Sequence, residues 1–162
     1  MAAALARELT LRRLRAGERR PILDVFEAMS DRSRNTRFHG AKSRLTEHDL
    51  DQLAAVGCCG REAVVAVERE TGKAIGIARY VVDSSGVAEV AYAVADDWQG
   101  RGVGRRLIVE LARLADARGV RRFRGLVGAG NRPALALLDH IGEAARREYD
   151  AGQLEVTVAI RA

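Results

Sequence analysis

The sequence predicts a mixed α/β domain with a mostly antiparallel sheet flanked by about four helices. Two local patterns alternate along the chain: runs of β-branched residues, and segments whose apolar residues recur at helical spacing. Three consecutive strand-like segments are separated only by short turns, which favours antiparallel pairing. With 162 residues, of which 48% are hydrophobic, we expect one domain that spans residues 1–162.

The N-terminal part predicts one strand and two helices. Leucines alternate with polar residues over 9–14, which indicates a short, half-buried strand. Pro21 suits the first turn of a helix that ends where residues 30–42 begin. The apolar residues of 30–42 follow neither the helical nor the strand period, and we expect an exposed loop there. Residues 46–49 resemble a capping box that opens the second helix.

The middle of the chain predicts three antiparallel strands. Residues 63–67 and 74–82 are rich in β-branched side chains and are separated by a turn at 70–73, which is the pattern of a hairpin. A Ser-Ser-Gly turn then leads into a third strand over 87–95.

The C-terminal part predicts two helices and two or three strands. An apolar stripe over 107–115 indicates a helix that is capped at Gly119. A strand over 123–127 follows. Asn131, beside a proline, is a good N-cap for the next helix. Apolar and polar residues alternate over 154–160, which predicts a strand at the end of the sequence.

A glycine-rich loop at residues 99–104, Gln-Gly-Arg-Gly-Val-Gly, joins the third middle strand to an amphipathic helix. Gly100, Gly102 and Gly104 admit backbone angles closed to other residues, so successive N–H groups can turn toward one anion. The positive end of the helix favours the same anion. The cations beside this loop suit a ligand with several phosphates; they are Arg101, Arg105 and Arg106.

Two better-known glycine loops fit these residues poorly. A nucleoside-triphosphate loop ends in Gly-Lys followed by Ser or Thr, whereas Gly104 is followed by two arginines. A dinucleotide fingerprint has a third glycine at the place where Arg105 stands. The loop therefore indicates a phosphate-bearing ligand of another kind.

Residues 99–104 resemble the Gln/Arg-x-x-Gly-x-Gly/Ala signature of the GNAT superfamily of N-acetyltransferases, and the predicted order of elements is similar to the GNAT fold. The resemblance implies acetyl-CoA as cosubstrate, with its pyrophosphate on this loop. It also implies that Asn131 contacts the pantetheine arm, or ordered water near it, in addition to capping its helix. The residues to which the resemblance assigns acetyl-CoA binding are Val94, Ala95, Gln99, Gly100, Arg101, Gly102, Val103, Gly104, Arg105 and Asn131.

Glu89 is the candidate general base. Acetyl transfer to an amine requires the removal of a proton from an ammonium group, and a carboxylate near the thioester can accept it. Glu89 is the only charged residue of the strand over 87–95, and burial there would make it a better base. Residues 88–92, Ala-Glu-Val-Ala-Tyr, resemble the GNAT stretch whose glutamate often serves as base. The alternative is a glutamate that reaches solvent from the end of a strand.

The resemblance departs from the GNAT pattern at Leu138, where the family usually has the tyrosine that protonates the departing thiolate. The Gly-Phe pair that usually ends this helix is also altered, to Gly142 and Glu143. The remaining proton donors are water, the acceptor's own proton, Tyr92 and Tyr149, and the sequence does not choose among them. The missing tyrosine also leaves open a non-catalytic acyl-CoA-binding module.

Three segments resemble the GNAT domain of bacterial Pat-type protein lysine acetyltransferases: residues 33–38, 45–47 and 79–83. The resemblance implies a protein lysine as the amine acceptor, while a small-molecule amine stays open. For Arg34 and Arg37, a position in a solvated loop is the simpler interpretation.

Composition narrows the partners and the location. The net charge of +5 comes from arginines spread along the chain, which favours anionic ligands, but the few aromatic residues argue against nucleic acid. Cys58 and Cys59 are adjacent and lie outside any metal-ligand spacing, so we expect reduced, buried thiols at a helix end. The polar N-terminus predicts neither a signal nor a membrane segment, and a cytoplasmic protein is expected, with a homo-oligomer left open.

Overall fold

The computed structural model describes residues 8–128 and 130–161 and is built around a seven-stranded mixed sheet. The strands are β1 (Leu9–Arg13), β2 (Arg61–Glu68), β3 (Ala74–Val82), β4 (Ala88–Val94), β5 (Arg122–Gly128), β6 (Gly142–Asp150) and β7 (Gln153–Ile160). They lie in the order β1-β2-β3-β4-β5-β7-β6, and every neighbouring pair is antiparallel except β4 and β5. The predicted α/β class and mostly antiparallel sheet are confirmed.

Five α-helices lie within the described ranges, where the sequence predicts about four. They are α1 (Arg20–Glu27), α2 (Asp31–Phe38), α3 (Glu47–Ala54), α4 (Val103–Asp116) and α5 (Arg132–Ile141). The predicted capping box opens α3: Asp49 N donates to Thr46 Oγ1 at 3.1 Å, and Thr46 N donates to Asp49 Oδ2 at 2.8 Å. Of the helices described, none is both long enough and apolar enough to cross a membrane.

Helix α4 packs its apolar stripe on one face of the sheet. Its buried residues share a core with Ala78 and Tyr80 of β3 and with Phe123 of β5, and the rings of Tyr80 and Phe123 lie 5.8 Å apart. Burial of each large apolar side chain stabilises the fold by about 1.5 to 3 kcal/mol relative to exposure. The residues that α4 buries are Val103, Leu107, Ile108, Leu111, Ala112 and Ala115.

Helices α1 and α3 cover the opposite face. Val64 of β2 belongs to the core under α4, whereas its neighbour Val65 packs with Ile22 of α1 and Leu50 of α3. The interior strand β2 is therefore buried on both faces, which explains why its sequence contains a continuous apolar run.

The segment 30–42 contains α2, so the exposed loop predicted there is wrong in its first part. Helix α2 has no fully buried residue and no apolar face, so its sequence offers no helical period to detect. Two local interactions stabilise α2 instead: an N-cap hydrogen bond and a cation–π contact. Ser33 N donates to Ser30 Oγ at 3.3 Å, and the Arg34 guanidinium lies 4.3 Å from the centroid of the Phe26 ring in α1.

Cys58 and Cys59 are both exposed, so the burial predicted for them is wrong. They lie in a turn between Gly57 and Gly60, in which Cys59 has a φ of 54°. A hydrogen bond with Cys59 raises the pKa of the Cys58 thiol. The turn therefore displays two adjacent free thiols at the surface.

Candidate active site

Strands β4 and β5 are parallel neighbours that part after two paired positions. Ala88 lies beside Phe123 and Glu89 lies beside Arg124, and within the described ranges no later residue of β4 pairs with β5. Residues 90–94 keep their partners on β3. We call the gap between residues 90–94 of β4 and 125–128 of β5 the seam. Main-chain groups of β4 that face the seam are available to a ligand that hydrogen-bonds along a strand edge.

The loop from β4 to α4 carries two glycines in the left-handed region. A 3₁₀ turn, Asp96–Trp98, is followed by Gly100 with a φ of 69° and Gly102 with a φ of 87°. Gly102 is the N-cap of α4, and among the described residues no acceptor is bonded to the N–H groups of residues 103–105. These N–H groups and the helix dipole can bind an anion, which supports the predicted phosphate site.

Gly104 differs from the other two glycines of the loop. It lies in the first turn of α4 with helical angles, so the special backbone conformation predicted for it is wrong. A Cβ at this position would lie 3.3 Å from Leu137 Cδ1 and 3.5 Å from Tyr92 Cε2. Gly104 therefore allows α4 to approach β4 and α5 closely.

The side chain of Gln99 stabilises the loop through hydrogen bonds. Its Nε2 donates to the carbonyl of Val94 at 3.0 Å, to the hydroxyl of Ser33 at 3.2 Å and to the carboxylate of Asp96 at 3.3 Å. Ala95 N donates to a carbonyl of β3 at 2.9 Å. The predicted binding residues Val94, Ala95 and Gln99 thus shape the end of β4, and their contact with acetyl-CoA stays a prediction.

Two arginines of the loop have protein partners. Arg101 Nη2 donates to Glu8 at 2.7 Å, and the guanidinium of Arg101 lies 4.1 Å from the centroid of the Trp98 ring. Arg105 Nε donates to Nε2 of His140 in α5 at 2.9 Å. The main chain of the loop, rather than these two guanidinium groups, therefore presents the anion site.

Asn131 caps α5, as the sequence predicts, because Ala134 N donates to its Oδ1 at 3.3 Å. It follows β5, the strand that bounds the seam opposite β4. Its contact with the pantetheine arm stays a prediction.

Glu89 stands at the last position where β4 and β5 pair, so it lies beside the seam. Its side chain is 56% exposed, and the burial predicted for it is wrong. The reason is strand alternation: Ala88 and Val90 face the core under α4, so Glu89 faces the other side of the sheet. Arg124 Nη2 donates to Glu89 Oε2 at 3.5 Å. An exposed carboxylate held here can exchange protons with water or with an incoming amine.

The two tyrosines considered as proton donors have different positions. Tyr149 lies on the edge strand β6, where it is 75% exposed and separated from the seam by β7 and β5. Tyr92 lies on β4 at the seam, beside the first turn of α4, and burial raises the pKa of its hydroxyl. Leu138, at the usual tyrosine position, is buried in the core, and its Cδ1 would lie 2.9 Å from a Cβ at Gly125.

Arg124 is a site residue that the sequence analysis missed. The strand after α4 returns parallel to β4, as expected for a right-handed crossover, and this brings residues 122–128 next to β4. That connection is a signal present in the sequence. The register that places Arg124 beside Glu89 is set by packing and cannot be predicted from the sequence.

Comparisons with known proteins agree with this architecture. The sequence profile of the acetyltransferase (GNAT) family matches residues 24–142. An acetyltransferase of Pseudomonas aeruginosa is 30% identical over 147 residues, which cover 89% of this chain and 79% of that protein.

Two further relatives are Pat proteins. The acetyltransferase Pat of Mycolicibacterium smegmatis is 35% identical over 101 residues, which are 61% of this chain but only 30% of that protein. The crystal structure of the GNAT domain of S. lividans PAT has a TM-score of 0.82 and 26% identity, covering 93% of this chain and 89% of that domain.

Proposed function

Because the chain belongs to the acetyltransferase (GNAT) family, whose members use acetyl-CoA, we propose that it transfers the acetyl group of acetyl-CoA to a primary amine. The observation that carries the proposal is the seam between β4 and β5, which opens beside the first turn of α4. A ligand that fits both features has a phosphate end for the helix and an amide-bearing arm for the strand edge. Acetyl-CoA has both.

The chain's residues fit acetyl-CoA at two places. Gly100, Gly102 and the N–H groups of residues 103–105 would hold the pyrophosphate, because those groups have no other described acceptor. Residues 90–94 would bind the pantetheine arm along the seam, with Asn131 on its far side. The bound thioester supplies an activated acetyl group.

In the proposed reaction, the amine nitrogen attacks the thioester carbonyl carbon, a C–N bond forms, the C–S bond breaks and CoA leaves as a thiolate. Glu89 accepts the proton that the acceptor's ammonium group must lose, directly or through water. Arg124 positions the carboxylate beside the seam. Alignment of the two substrates contributes most of the acceleration, and main-chain N–H groups polarise the carbonyl.

Tyr92 is the proton donor that we assign to the departing thiolate. It is the tyrosine that lies at the seam, whereas Tyr149 lies on the distant edge strand. Burial raises the pKa of the Tyr92 hydroxyl, so that hydroxyl keeps its proton at neutral pH.

The acceptor that we assign is a protein lysine in the cytoplasm. The similarity to Pat of M. smegmatis and to the GNAT domain of S. lividans PAT supports a protein substrate. A small-molecule amine is the second candidate acceptor. A non-catalytic acyl-CoA-binding module is the rival function, and the specific observation in its favour is buried Leu138 in place of a tyrosine.

The test incubates the protein with acetyl-CoA and with a panel of amines and candidate proteins, and follows the release of free thiol together with the mass of the products. Acetylated acceptors and stoichiometric CoA are expected. Thiol release that stays at the level of background hydrolysis, in a protein that acetyl-CoA stabilises against heat, would identify a binding module instead.

A further inference from the structure

We infer that the acceptor carries a carboxylate close to its reactive amine, and that Arg37 of α2 and Arg79 of β3 bind this carboxylate on the face of the sheet that bears Glu89. The inference rests on the proposed acetyl transfer. It adds a chemical class of acceptor that the family assignment does not supply.

Arg79 and Glu89 lie on the same face of the sheet. In the β3–β4 pairing, Arg79 lies opposite Ala91 and Val81 lies opposite Glu89, so Arg79 and Glu89 are diagonal neighbours. Such neighbours are about 7–8 Å apart at their Cα atoms, within reach of long side chains. The adjacent residues Ala78 and Tyr80 face the core under α4, which places Arg79 on the opposite side.

Helix α2 brings Arg37 to this face. The helix packs against β4, and His39, which follows it, shares a hydrogen bond of 2.9 Å with Gln153 at the start of β7. Helix α2 therefore extends across the seam from β4 to β7. Burial and the charge of Arg79 lower the pKa of Arg37 to about 10, and the charge of Glu89 opposes this effect. These three charged groups thus share one region beside the seam.

Arg37 and Arg79 have no carboxylate within ion-pair distance among the residues that the structure describes. Arg37 contacts the Phe38 ring, with 4.9 Å to its centroid. Arg79 Nη2 donates to the carbonyl of Gln52 at 3.4 Å, but its buried Nε has no hydrogen-bond partner. Partly buried guanidinium groups without a counter-charge raise the free energy of the fold, and an anion would offset this cost.

Two further arginines lie near Arg37 and Arg79. Arg61 of β2 lies opposite Val81 of β3, and its charge lowers the pKa of Arg79. Arg124 is already compensated. Its guanidinium nitrogens lie 3.1 Å from Asp83, 3.5 Å from Glu89 and 4.0 Å from Glu155. Arg37 and Arg79, with Arg61 on the far side of Arg79, therefore carry the positive charge on this face that no described carboxylate pairs.

This charge selects among amines. A simple alkylammonium ion would be repelled by Arg37 and Arg79, whereas an acceptor with a neighbouring carboxylate can pair with them while its amine reaches Glu89. The planar guanidinium suits a carboxylate because it can donate two parallel hydrogen bonds. The carboxylate can be that of a free amino acid or that of an acidic side chain next to a lysine in a protein.

The test compares acceptors with and without the carboxylate at saturating acetyl-CoA, with each rate referred to the concentration of unprotonated amine. One arm uses free amino acids against their amides, and the other uses lysine peptides flanked by Glu against the same peptides flanked by Gln. In one of the two arms we expect kcat/KM to be about tenfold or more higher for the carboxylate member. The arm that shows the preference identifies the source of the carboxylate.

The variants Arg37→Gln and Arg79→Gln should each reduce this preference to about threefold or less, while the thermal shift with acetyl-CoA is kept. Arg32→Gln is the matched control, because Arg32 is an exposed arginine on the same helix. If either variant fails to fold, wild-type protein still gives a test: the preference should narrow between about 0.05 M and 0.5 M NaCl because salt screens the pairing.

Equal or faster acetylation of the neutral acceptors in both arms would overturn the inference and leave the proposed acetyl transfer intact. Failure to acetylate any amine, in a protein that acetyl-CoA still stabilises, would overturn the proposed function and this inference with it.

Discussion

Glu89 and Arg124 face each other across the last position at which β4 and β5 pair, with 3.5 Å between Oε2 and Nη2. The contact holds a carboxylate at the point where the two strands begin to part. It also identifies which part of the seam lies next to the proposed chemistry.

Glu89→Gln should lower the turnover rate at neutral pH by about 100-fold, because the amide cannot accept the proton of the ammonium group. The measurement is thiol release under saturating substrates, with the thermal shift by acetyl-CoA unchanged. Glu155→Gln is the control, since Glu155 also reaches Arg124, at 4.0 Å, but lies on β7. The loss should shrink at high pH, where the amine deprotonates unaided. Undiminished turnover in Glu89→Gln would assign proton removal to water or to another group.

Acetyl-CoA at about a hundred times its dissociation constant should stabilise the protein by about 2.7 kcal/mol. For a chain of this length that is a rise of about 5 to 10 °C in melting temperature, measured by calorimetry or by dye fluorescence. CoA without the acetyl group should give a similar shift because the proposed phosphate contacts are the same. A folded sample whose melting temperature neither ligand changes would contradict the acetyl-CoA site.

Gly102→Val should abolish the thermal shift by acetyl-CoA, because φ is 87° at the N-cap of α4 and the new side chain would stand beside the anion site. Gly119→Val is the matched control: Gly119 has a φ of 79°, and a Cβ there meets nothing within 4 Å. Both variants should lose about 1 to 3 kcal/mol of stability from backbone strain. A thermal shift that persists in Gly102→Val would place the ligand elsewhere.

Leu138→Tyr should give a less stable protein with no gain in rate. Leu138 is packed against Gly125, so the larger ring overpacks the core, at about 1 to 3 kcal/mol. Single-turnover kinetics and thermal unfolding measure the two effects. A stable variant with a tenfold faster chemical step would show that proton delivery limits the natural protein.

Tyr92→Phe should slow the single-turnover step by about tenfold, because it removes the proposed proton donor while keeping the ring. The raised pKa of Tyr92 means that the wild-type donor stays protonated through neutral pH, so the difference between the two proteins should narrow only at strongly alkaline pH. Tyr149→Phe is the control, at the exposed edge strand. Equal rates for Tyr92→Phe and the wild type would leave water or the acceptor's proton as the donor.

Glu62→Gln should lower stability by about 1.5 to 3 kcal/mol without changing the kinetics. Glu62 is 2% exposed, and its carboxylate forms ion pairs with Arg13 at 2.9 Å and with Arg118 at 2.7 Å. It is therefore the counter-charge that both arginines share. Denaturant unfolding measures the change. Glu47→Gln, at an exposed ion pair with Arg19, should cost about 1 kcal/mol or less. An equal loss of unfolding free energy in the two variants would show that the burial of Glu62 does not strengthen its contribution to stability.

Much of this fold could be predicted because its elements carry local signals. The capping box at Thr46 and Asp49, the N-cap at Asn131 and the turns between β2, β3 and β4 are encoded within a few residues. Helix α2 could not be predicted in this way, because Arg34 and Ser30 hold it through contacts with α1 and with the chain itself, without any apolar period.

The candidate site was predicted only in part, for reasons of topology. The glycine loop is local, so Gly100 and Gly102 were found with their unusual backbone angles. The exposure of Glu89 depends on which face of β4 the core covers, and its partner Arg124 depends on register across two strands. The pair Arg37 and Arg79 comes from α2 and β3, and no motif in the sequence links these segments.

The seam also divides the sheet mechanically. Strands β1 to β4 form one half of the sheet, and β5, β7 and β6 form the other. Among the described residues, the two halves pair only at Ala88–Phe123 and Glu89–Arg124. We expect the amides of β4 that point into the gap to exchange their hydrogens with solvent without global unfolding. We expect a molecule bound along the gap to hydrogen-bond with the strand edges and join the two halves of the sheet, which would make the occupied protein stiffer as well as more stable.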